Sequence, residues 1–250
     1  MSETESKVVE IEALPVHYLE AGRGLPLVFL HGAGGAPPQG ASFVSMLAEH
    51  HRVLLPSRPG FDQTPLGDCR AIASETRVIA GFVRAVAGGE AAIVAQSAGC
   101  AIACWLAILH PGLVSRLVLS APSAFASHGA RPPAPQELAQ ILYGEHPSWT
   151  APPTLAEQQR IGRNAATNLG RWTAADAHAL QERLPEIKAP TLLIRAEGDR
   201  LIPASAALPF EERIPSCRRV AIQGAAHELP IADGPGWVRS VREFIDRDSR

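Results

Sequence analysis

The chain has 250 residues, a formal net charge of −2 and 46% hydrophobic residues. This length and composition are typical of one large domain, or of one domain with an insertion. The absence of a basic stripe argues against nucleic acid as a partner, and no apolar run is long enough to predict a membrane span. The first residues, Met1–Lys7, are polar and acidic and do not resemble a signal peptide. We therefore expect a cytoplasmic protein that binds a small-molecule substrate, with its oligomeric state left open.

The four cysteines form no C-x-x-C pair. In a protein that is not exported, this pattern favours reduced thiols over disulfides. Cys100 and Cys104 are four residues apart on a predicted helix and could bind a metal, but no matching His or Cys pair lies nearby in the sequence. We therefore predict no metal site and no cofactor.

The predicted elements alternate between strands and helices. The partly alternating runs Val8–Ala13 and Val16–Glu20 predict a β-hairpin. Short apolar runs predict six further strands: Leu27–Leu30, Arg52–Leu55, Ala91–Ala95, Leu117–Leu119, Thr191–Ile194 and Arg219–Ile222. Helical patterns lie between or after them: Ala41–His50, Ser74–Ala87 with Ser74 as N-cap, Ala98–Leu109, Ala204–Arg213 and Gly236–Arg247. Continuous apolar strands separated by helices predict an α/β protein with a doubly wound, mostly parallel sheet.

One segment, 124–186, contains no predicted strand. Its helical patterns at 136–143, 155–167 and 173–184 predict a helical lid, inserted into a core made of residues 1–123 and 187–250. Its apolar and aromatic residues either line a hydrophobic substrate pocket or pack the lid onto the core: Ile141, Leu142, Trp149, Leu155 and Trp172.

Ser97 stands between the predicted strand Ala91–Ala95 and a predicted helix. A serine on such a tight turn is raised above the sheet and lies at a helix N-terminus, where backbone N–H groups favour negative charge. Small residues are needed on both sides of the turn, and Ala95 and Gly99 meet that need. Ser97 is therefore a candidate nucleophile. Taken alone, the pattern is also that of an ordinary N-cap serine.

The glycine-rich loop His31–Gly35 directly follows a predicted buried strand. We predict that the backbone N–H groups of Ala33 and Ala98 form an oxyanion hole. A nucleotide-binding loop is the alternative, but Pro37 stands where the dinucleotide fingerprint has Gly or Ala, and no Walker lysine follows. His31 is interpreted as a structural residue that hydrogen-bonds this loop.

A serine nucleophile needs a base, and the base needs a carboxylate that orients it. Asp199 lies in the loop after the predicted strand Thr191–Ile194, and His227 follows the last predicted strand. We predict that Asp199 and His227 complete a catalytic triad with Ser97. Glu197 and Asp233 are the alternative acids.

The order Ser97, Asp199, His227 is the order of the α/β-hydrolase triad. The chain resembles the α/β-hydrolase superfamily over roughly residues 25–245. Four blocks carry the resemblance: His31–Gly35, Ser57–Pro65, Ala95–Gly99 and Pro190–Pro203. It implies an α/β-hydrolase fold with a mostly parallel, eight-stranded sheet, helices on both faces and a helical lid. Two residues depart from the family pattern, since Ala95 and Asp62 stand where glycine is common.

The resemblance implies a carboxylesterase-like serine hydrolase that cleaves an ester or related acyl bond of a small substrate. If the apolar residues of the lid line the pocket, we expect that substrate to be hydrophobic. The serine argues against subfamilies with an aspartate nucleophile, and Glu228 stands where some C–C bond hydrolases have tryptophan. C–C bond hydrolysis, a lyase or cofactor-independent oxygenase reaction, and non-catalytic ligand binding remain alternatives. The predicted pocket residues are His31, Gly32, Gln96, Trp149 and Trp172.

Overall fold

The computed structural model describes residues 4–38, 40–125, 135–144, 154–168 and 171–247. The described residues form eight β-strands: β1 Glu5–Ile11, β2 Leu14–Ala21, β3 Pro26–Leu30, β4 Arg52–Pro56, β5 Ala91–Gln96, β6 Val114–Ser120, β7 Thr191–Ala196 and β8 Cys217–Ile222. Their α-helices are α1 Ser42–Ala48, α2 Ile72–Phe82, α3 Gly99–Leu109, α4 Pro135–Tyr143, α5 Leu155–Asn168, α6 Ala174–Arg183, α7 Leu208–Arg213, α8 Leu229–Ala232 and α9 Gly234–Ile245. None of the helices in the described ranges is long and apolar enough to cross a membrane.

The eight strands form a single sheet in the order β1-β2-β4-β3-β5-β6-β7-β8. Strand β2 pairs antiparallel with β1 and with β4, and all other neighbours are parallel. The expected mostly parallel α/β sheet is therefore confirmed. Because parallel strands end at the same edge, the loops after β3, β5, β7 and β8 meet there.

Both faces of the central strands are buried, which explains the continuous apolar runs. In β3, Val28 and Leu30 belong to one core cluster with α2 and α3, whereas Leu27 and Phe29 belong to a second cluster with α1 and α9. Trp237 of α9 is fully buried in the second cluster. A strand covered by helices on both faces has no polar face, and so its sequence shows no alternation.

The predicted helix start at Ser74 is wrong. Helix α2 begins at Ile72, with Ala71 in the extended N-cap conformation. The Ser74 hydroxyl donates to the Ala71 carbonyl oxygen (2.8 Å), so it reaches back to the N-cap from within the first turn. The same hydroxyl accepts from the Ala71 N–H (3.3 Å), which is the contact that the third residue of a helix makes in a capping box, not the contact of an N-cap serine.

Within segment 124–186 the described residues form no strand, and three of the helices lie there. These helices differ in how they contact the rest of the molecule. Helix α6 places the fully buried Leu180 in the core cluster that contains α3. Helix α5 instead carries long polar side chains, Arg160 and Asn164, that face the loops at the sheet edge.

Candidate active site

Ser97 occupies the turn between β5 and α3 with φ of +52°, a left-handed conformation that is unusual for a residue with a side chain. Its N–H donates to the carbonyl oxygen of Ser120 at the end of β6 (2.9 Å). A Cβ atom on Gly99 would overlap the carbonyl oxygens of Leu30 and His31. Glycine is therefore required at position 99, because α3 passes close to the end of β3.

The three predicted triad residues meet at this edge of the sheet. His227 Nε2 lies 2.9 Å from Ser97 Oγ, and His227 Nδ1 lies 2.7 Å from Asp199 Oδ2. An ionised Asp199 can only accept, so Nδ1 carries the proton and Nε2 is left to accept from the serine hydroxyl. The other oxygen, Asp199 Oδ1, accepts from the backbone N–H groups of Leu201 and Ile202, each at 2.8 Å. This arrangement can move a proton from the serine to the histidine.

The two alternative acids, Glu197 and Asp233, occupy other positions. Glu197 pairs with Arg195 at 3.5 Å. Asp233 is the residue at the N-cap of α9. Asp199 is thus the carboxylate that the loop after β7 directs at His227.

His227 is held by its surroundings as well as by Asp199. The side-chain Nε2 of Gln96 donates to the His227 carbonyl oxygen at 2.7 Å. Burial lowers the pKa of His227, but the hydrogen bond and the charge of Asp199 raise it more, so the net shift is upward from 6.5. A more basic imidazole is a better acceptor for the serine proton.

Hydrogen bonds of His31 and Arg58 hold the glycine loop in place. His31 Nδ1 donates to the Gly32 carbonyl oxygen (2.7 Å), and Nε2 accepts from the N–H of Arg58 (3.0 Å). Burial, followed by the charge of Arg58, lowers the pKa of His31 to about 3, so the ring stays neutral. Arg58 is itself buried and forms an ion pair with Glu75 at 2.5 Å, each side chain being 2% exposed. Sequence reasoning did not identify Arg58, although it lies in the block Ser57–Pro65.

The oxyanion-hole candidates lie on two sides of Ser97. Ala33 lines the cavity above the serine, and Ala98 is the N-cap residue of α3. A Cβ on Gly32 would lie 3.0 Å from the Ser97 Cβ, so the glycine loop passes very close to the serine. Backbone N–H groups at a loop and a helix N-terminus are suited to binding an oxyanion.

A cavity of about 450 Å³ opens above Ser97 and His227. It is lined by the predicted pocket residues His31, Gly32 and Gln96 and, from the inserted segment, by Leu142, Tyr143 and Ile161. Gln96 is buried, and its Oε1 has no hydrogen-bond partner among the described residues.

The remaining predicted pocket residues are the tryptophans Trp149 and Trp172. Trp172 is not among the lining residues of this cavity, so we correct that prediction: its indole N–H donates to the Ala124 carbonyl oxygen (2.8 Å), and it lines a second cavity of about 50 Å³. A tryptophan in a helical insertion can pack against the core, and the sequence does not distinguish this from pocket lining. Trp149 lies outside the described residues.

The cavity carries charged residues that sequence reasoning did not assign to it. Arg160, Glu157 and Glu228 line it. Arg160 is already paired with Asp62 at 2.6 Å. Burial raises the pKa of Glu228; the nearby His227 lowers it, and Asp199 raises it further, with a net upward shift. The cavity therefore has little positive charge to offer an anionic ligand.

The described ranges contain no group of three or more His, Cys, Asp or Glu side chains that could hold a metal ion. Cys100 and Cys104 are buried free thiols, and burial raises the pKa of both. A thiol that resists deprotonation is a poor metal ligand.

Comparison with known proteins gives relatives that are named for different substrates. One is a 2-hydroxy-6-oxo-6-phenylhexa-2,4-dienoate hydrolase of Comamonas testosteroni, 27% identical, with 75% of this chain and 76% of that protein covered. Another is a pimeloyl-[acyl-carrier protein] methyl ester esterase of Aeromonas hydrophila, also 27% identical, with 90% and 96% covered.

Solved structures share the fold at low sequence identity. A serine hydrolase of Cycloclasticus zankles superposes with a TM-score of 0.79 at 19% identity, covering 97% of this chain and 98% of that chain. The model of the alpha/beta hydrolase family matches residues 27–241, which is most of the sequence. The chain therefore belongs to the alpha/beta hydrolase family.

Proposed function

We propose that this protein is a serine hydrolase that cleaves an ester or related acyl bond of a small substrate. His227 accepts the proton of Ser97 as the serine oxygen attacks the substrate carbonyl. The N–H groups of Ala33 and Ala98 stabilise the oxyanion. His227 then gives its proton to the leaving oxygen, and water, activated by the same imidazole, hydrolyses the acyl-enzyme. Asp199 stabilises the imidazolium that forms in each half of the reaction.

The observation that carries this proposal is the chain of contacts from Ser97 through His227 to Asp199, at 2.9 and 2.7 Å, at the floor of the large cavity. A serine, a base and an orienting acid within hydrogen-bond reach have the geometry of an activated nucleophile. A ligand-binding protein has no need for this alignment.

Hydrolysis of a C–C bond is the second candidate, because several relatives are named as hydrolases of oxo-dienoates. Such substrates carry a carboxylate. Of the described residues that line the cavity, Arg160 alone is a lysine or arginine, and Asp62 already neutralises it. The acidic Glu157 and, when it is ionised, Glu228 disfavour the binding of a substrate carboxylate in this cavity. We therefore place uncharged esters first.

The test is turnover of p-nitrophenyl esters of graded acyl length. Ser97→Ala should reduce kcat by about 10⁴-fold or more, since the remaining groups give only modest catalysis. Ser240→Ala is the matched control, because the Ser240 hydroxyl donates only to the Gly236 carbonyl oxygen within α9. The control should keep full activity. Retention of more than about a tenth of the wild-type rate by Ser97→Ala would contradict the assignment.

The same enzyme preparations separate the second candidate. A 2-hydroxy-6-oxo-dienoate is followed by loss of its conjugated absorbance, and the products are identified by mass spectrometry. Faster turnover of the dienoate than of any ester would replace ester cleavage as the principal activity. Tight binding of esters without turnover would favour a non-catalytic protein, and products from a non-hydrolytic reaction would favour a lyase or oxygenase.

A further inference from the structure

Asp62 lies on the turn after β4, in a left-handed conformation with φ of +49°. Its Oδ2 accepts from the N–H of Ala36, the residue that follows the glycine loop, at 2.9 Å. Its Oδ1 accepts from Asn164 Nδ2 at 2.8 Å and from Arg160 Nη1 at 2.6 Å, both on α5. One carboxylate thus joins the glycine loop to a helix of the inserted segment.

Asn164 makes the same connection directly. Its Nδ2 also donates to the Gly34 carbonyl oxygen at 2.9 Å, so both protons of the amide are used. Asn164 is only 7% exposed. A Cβ on Gly35 would overlap the Asn164 amide and lie 2.8 Å from Asp62 Oδ2. A glycine at this position, with φ of +94°, is what allows the two side chains to approach the loop.

We propose that Asp62, Asn164 and Arg160 form a clasp that positions the glycine loop, so that docking of α5 completes the oxyanion hole. The proposal rests on the proposed function. Asp62 is not among the residues that line the large cavity, so it is a positioning residue rather than a catalytic one.

The position of Ala33 in the loop supports the clasp. On its N-terminal side, His31 and Gly32 are anchored to the buried Arg58. On its C-terminal side, Gly34 and Ala36 are anchored by the clasp. Ala33, whose N–H is the candidate oxyanion donor, lies between the two anchors. Loss of either one frees that N–H to move, and a misplacement of about 1 Å can reduce a rate about 10²-fold.

Within the clasp, the negative charge of Asp62 is paired with the positive charge of Arg160. Burial raises the pKa of Asp62, but hydrogen bonds from Asn164 and Ala36 and the guanidinium of Arg160 lower it more, so the carboxyl is ionised at neutral pH. An ionised carboxylate offers acceptors on both oxygens. Asparagine has one acceptor oxygen and one NH2 group that can only donate, and so it cannot accept from the loop and from α5 in the same geometry.

Asp62→Asn is therefore the test variant, because it keeps the side-chain size and tolerates the left-handed backbone. We expect kcat for p-nitrophenyl esters to fall about 10- to 100-fold while KM changes less than about threefold. The affinity of an aryl boronic acid, which forms a tetrahedral adduct with serine, should fall with kcat. The affinity of the product acid, which has no tetrahedral oxyanion, should not change.

The matched control is Asp176→Asn. Asp176 also accepts from backbone and side-chain donors, at the N-terminus of α6, but it lies outside the cavity lining. It should leave kcat and boronic acid affinity unchanged. A kcat of Asp62→Asn within about twofold of wild type, with unchanged boronic acid affinity, would overturn the clasp. Asn164→Ala removes the contact between α5 and the Gly34 carbonyl oxygen, and it should also lower kcat and boronic acid affinity. It replaces Asp62→Asn as the test variant if that variant does not fold.

Hydrogen exchange measures the loop without reference to activity. Amides of residues 32–36 should exchange faster in Asp62→Asn than in wild type, whereas β5 should not change. Unaltered exchange in the loop would contradict the clasp. If Ser97→Ala keeps its turnover, the proposed function fails while the exchange result still decides the clasp. If Ser97→Ala is inactive and Asp62→Asn behaves as wild type, the clasp alone fails.

Discussion

The loops at the carboxyl edge of the sheet and the inserted helices α4 and α5 form opposite sides of one cavity, and they are held in different ways. Ser97 follows β5, and its N–H is bonded to Ser120 of the adjacent β6, so the sheet sets its position. Helix α4 contacts the same site through a hydrogen bond from the Glu228 N–H to the Leu142 carbonyl oxygen at 2.8 Å. Helix α5 reaches it through polar side chains.

This difference separates two kinds of effect. Residues on the sheet side are placed by strands that are buried on both faces, and their substitution should change the chemical step or the stability of the whole fold. Residues on the inserted side are placed by few contacts, and their substitution should change selectivity or the fit of the glycine loop.

Asp199→Asn should reduce kcat by about 10⁴-fold with little change in KM, because the amide can present an N–H to His227 and leave the ring in the wrong tautomer. Ester hydrolysis by the purified variant measures this. Asp233→Asn is the matched control and should stay within about twofold of wild type. A comparable loss in the control would mean that the acid has been misassigned.

Glu75→Leu should lower the free energy of unfolding by about 3–5 kcal/mol, because it leaves the buried Arg58 charge unpaired. Urea denaturation followed by circular dichroism measures the change. Glu12→Leu breaks the exposed pair with Arg77, whose side chains are 51% and 59% exposed, and should cost about 0–1 kcal/mol. If Glu75→Leu lowered the free energy of unfolding no more than Glu12→Leu does, the buried Arg58–Glu75 pair would not contribute the stability that we assign to it.

The acid limb of kcat/KM should lie above pH 6.5, because the hydrogen bond to Asp199 holds the pKa of His227 above its usual value despite burial. The base works only when neutral, so activity is complete above the raised pKa and is lost as the pH falls through it, about tenfold per unit. A pH–rate profile of an ester without ionisable groups measures the limb. A flat profile between about pH 5 and 8 would require a different base.

Glu228→Gln should have the smallest effect and should act on selectivity. For an uncharged ester we expect a kcat within about threefold of wild type. For an ester with a terminal carboxylate, kcat/KM relative to the uncharged ester should rise about three- to tenfold, most at high pH where Glu228 is ionised. Glu137→Gln, on the exposed side of α4, is the control. An unchanged preference would mean that Glu228 does not face the acyl group.

The sheet and the serine, acid and base loops could be predicted from the sequence because their signals are local. A short apolar run ending in a glycine or a polar residue marks both a buried strand and the loop at its end, as at Thr191–Ile194 before Asp199. Proximity in the fold then follows from parallel strands ending at one edge. The choice of Asp199 over Glu197 was likewise a matter of loop position.

The inserted segment could not be predicted to the same depth. Helical periodicity located α5 but gave no reason for Asn164 to meet Asp62, which lies 102 residues earlier. The sequence shows that Asp62 stands where glycine is common in the family. It does not show why, because the role of the side chain depends on its tertiary contacts. The same limit explains Trp172, whose apolar ring packs beside the core rather than in the large cavity.

Labelling with a fluorophosphonate, followed by mass spectrometry of the digested protein, tests the central claim most directly. We expect one adduct, on Ser97, that forms on the wild-type protein and is lost or forms much more slowly in His227→Ala. An adduct on a different serine, or labelling of Ser97 that is equally fast without His227, would contradict it.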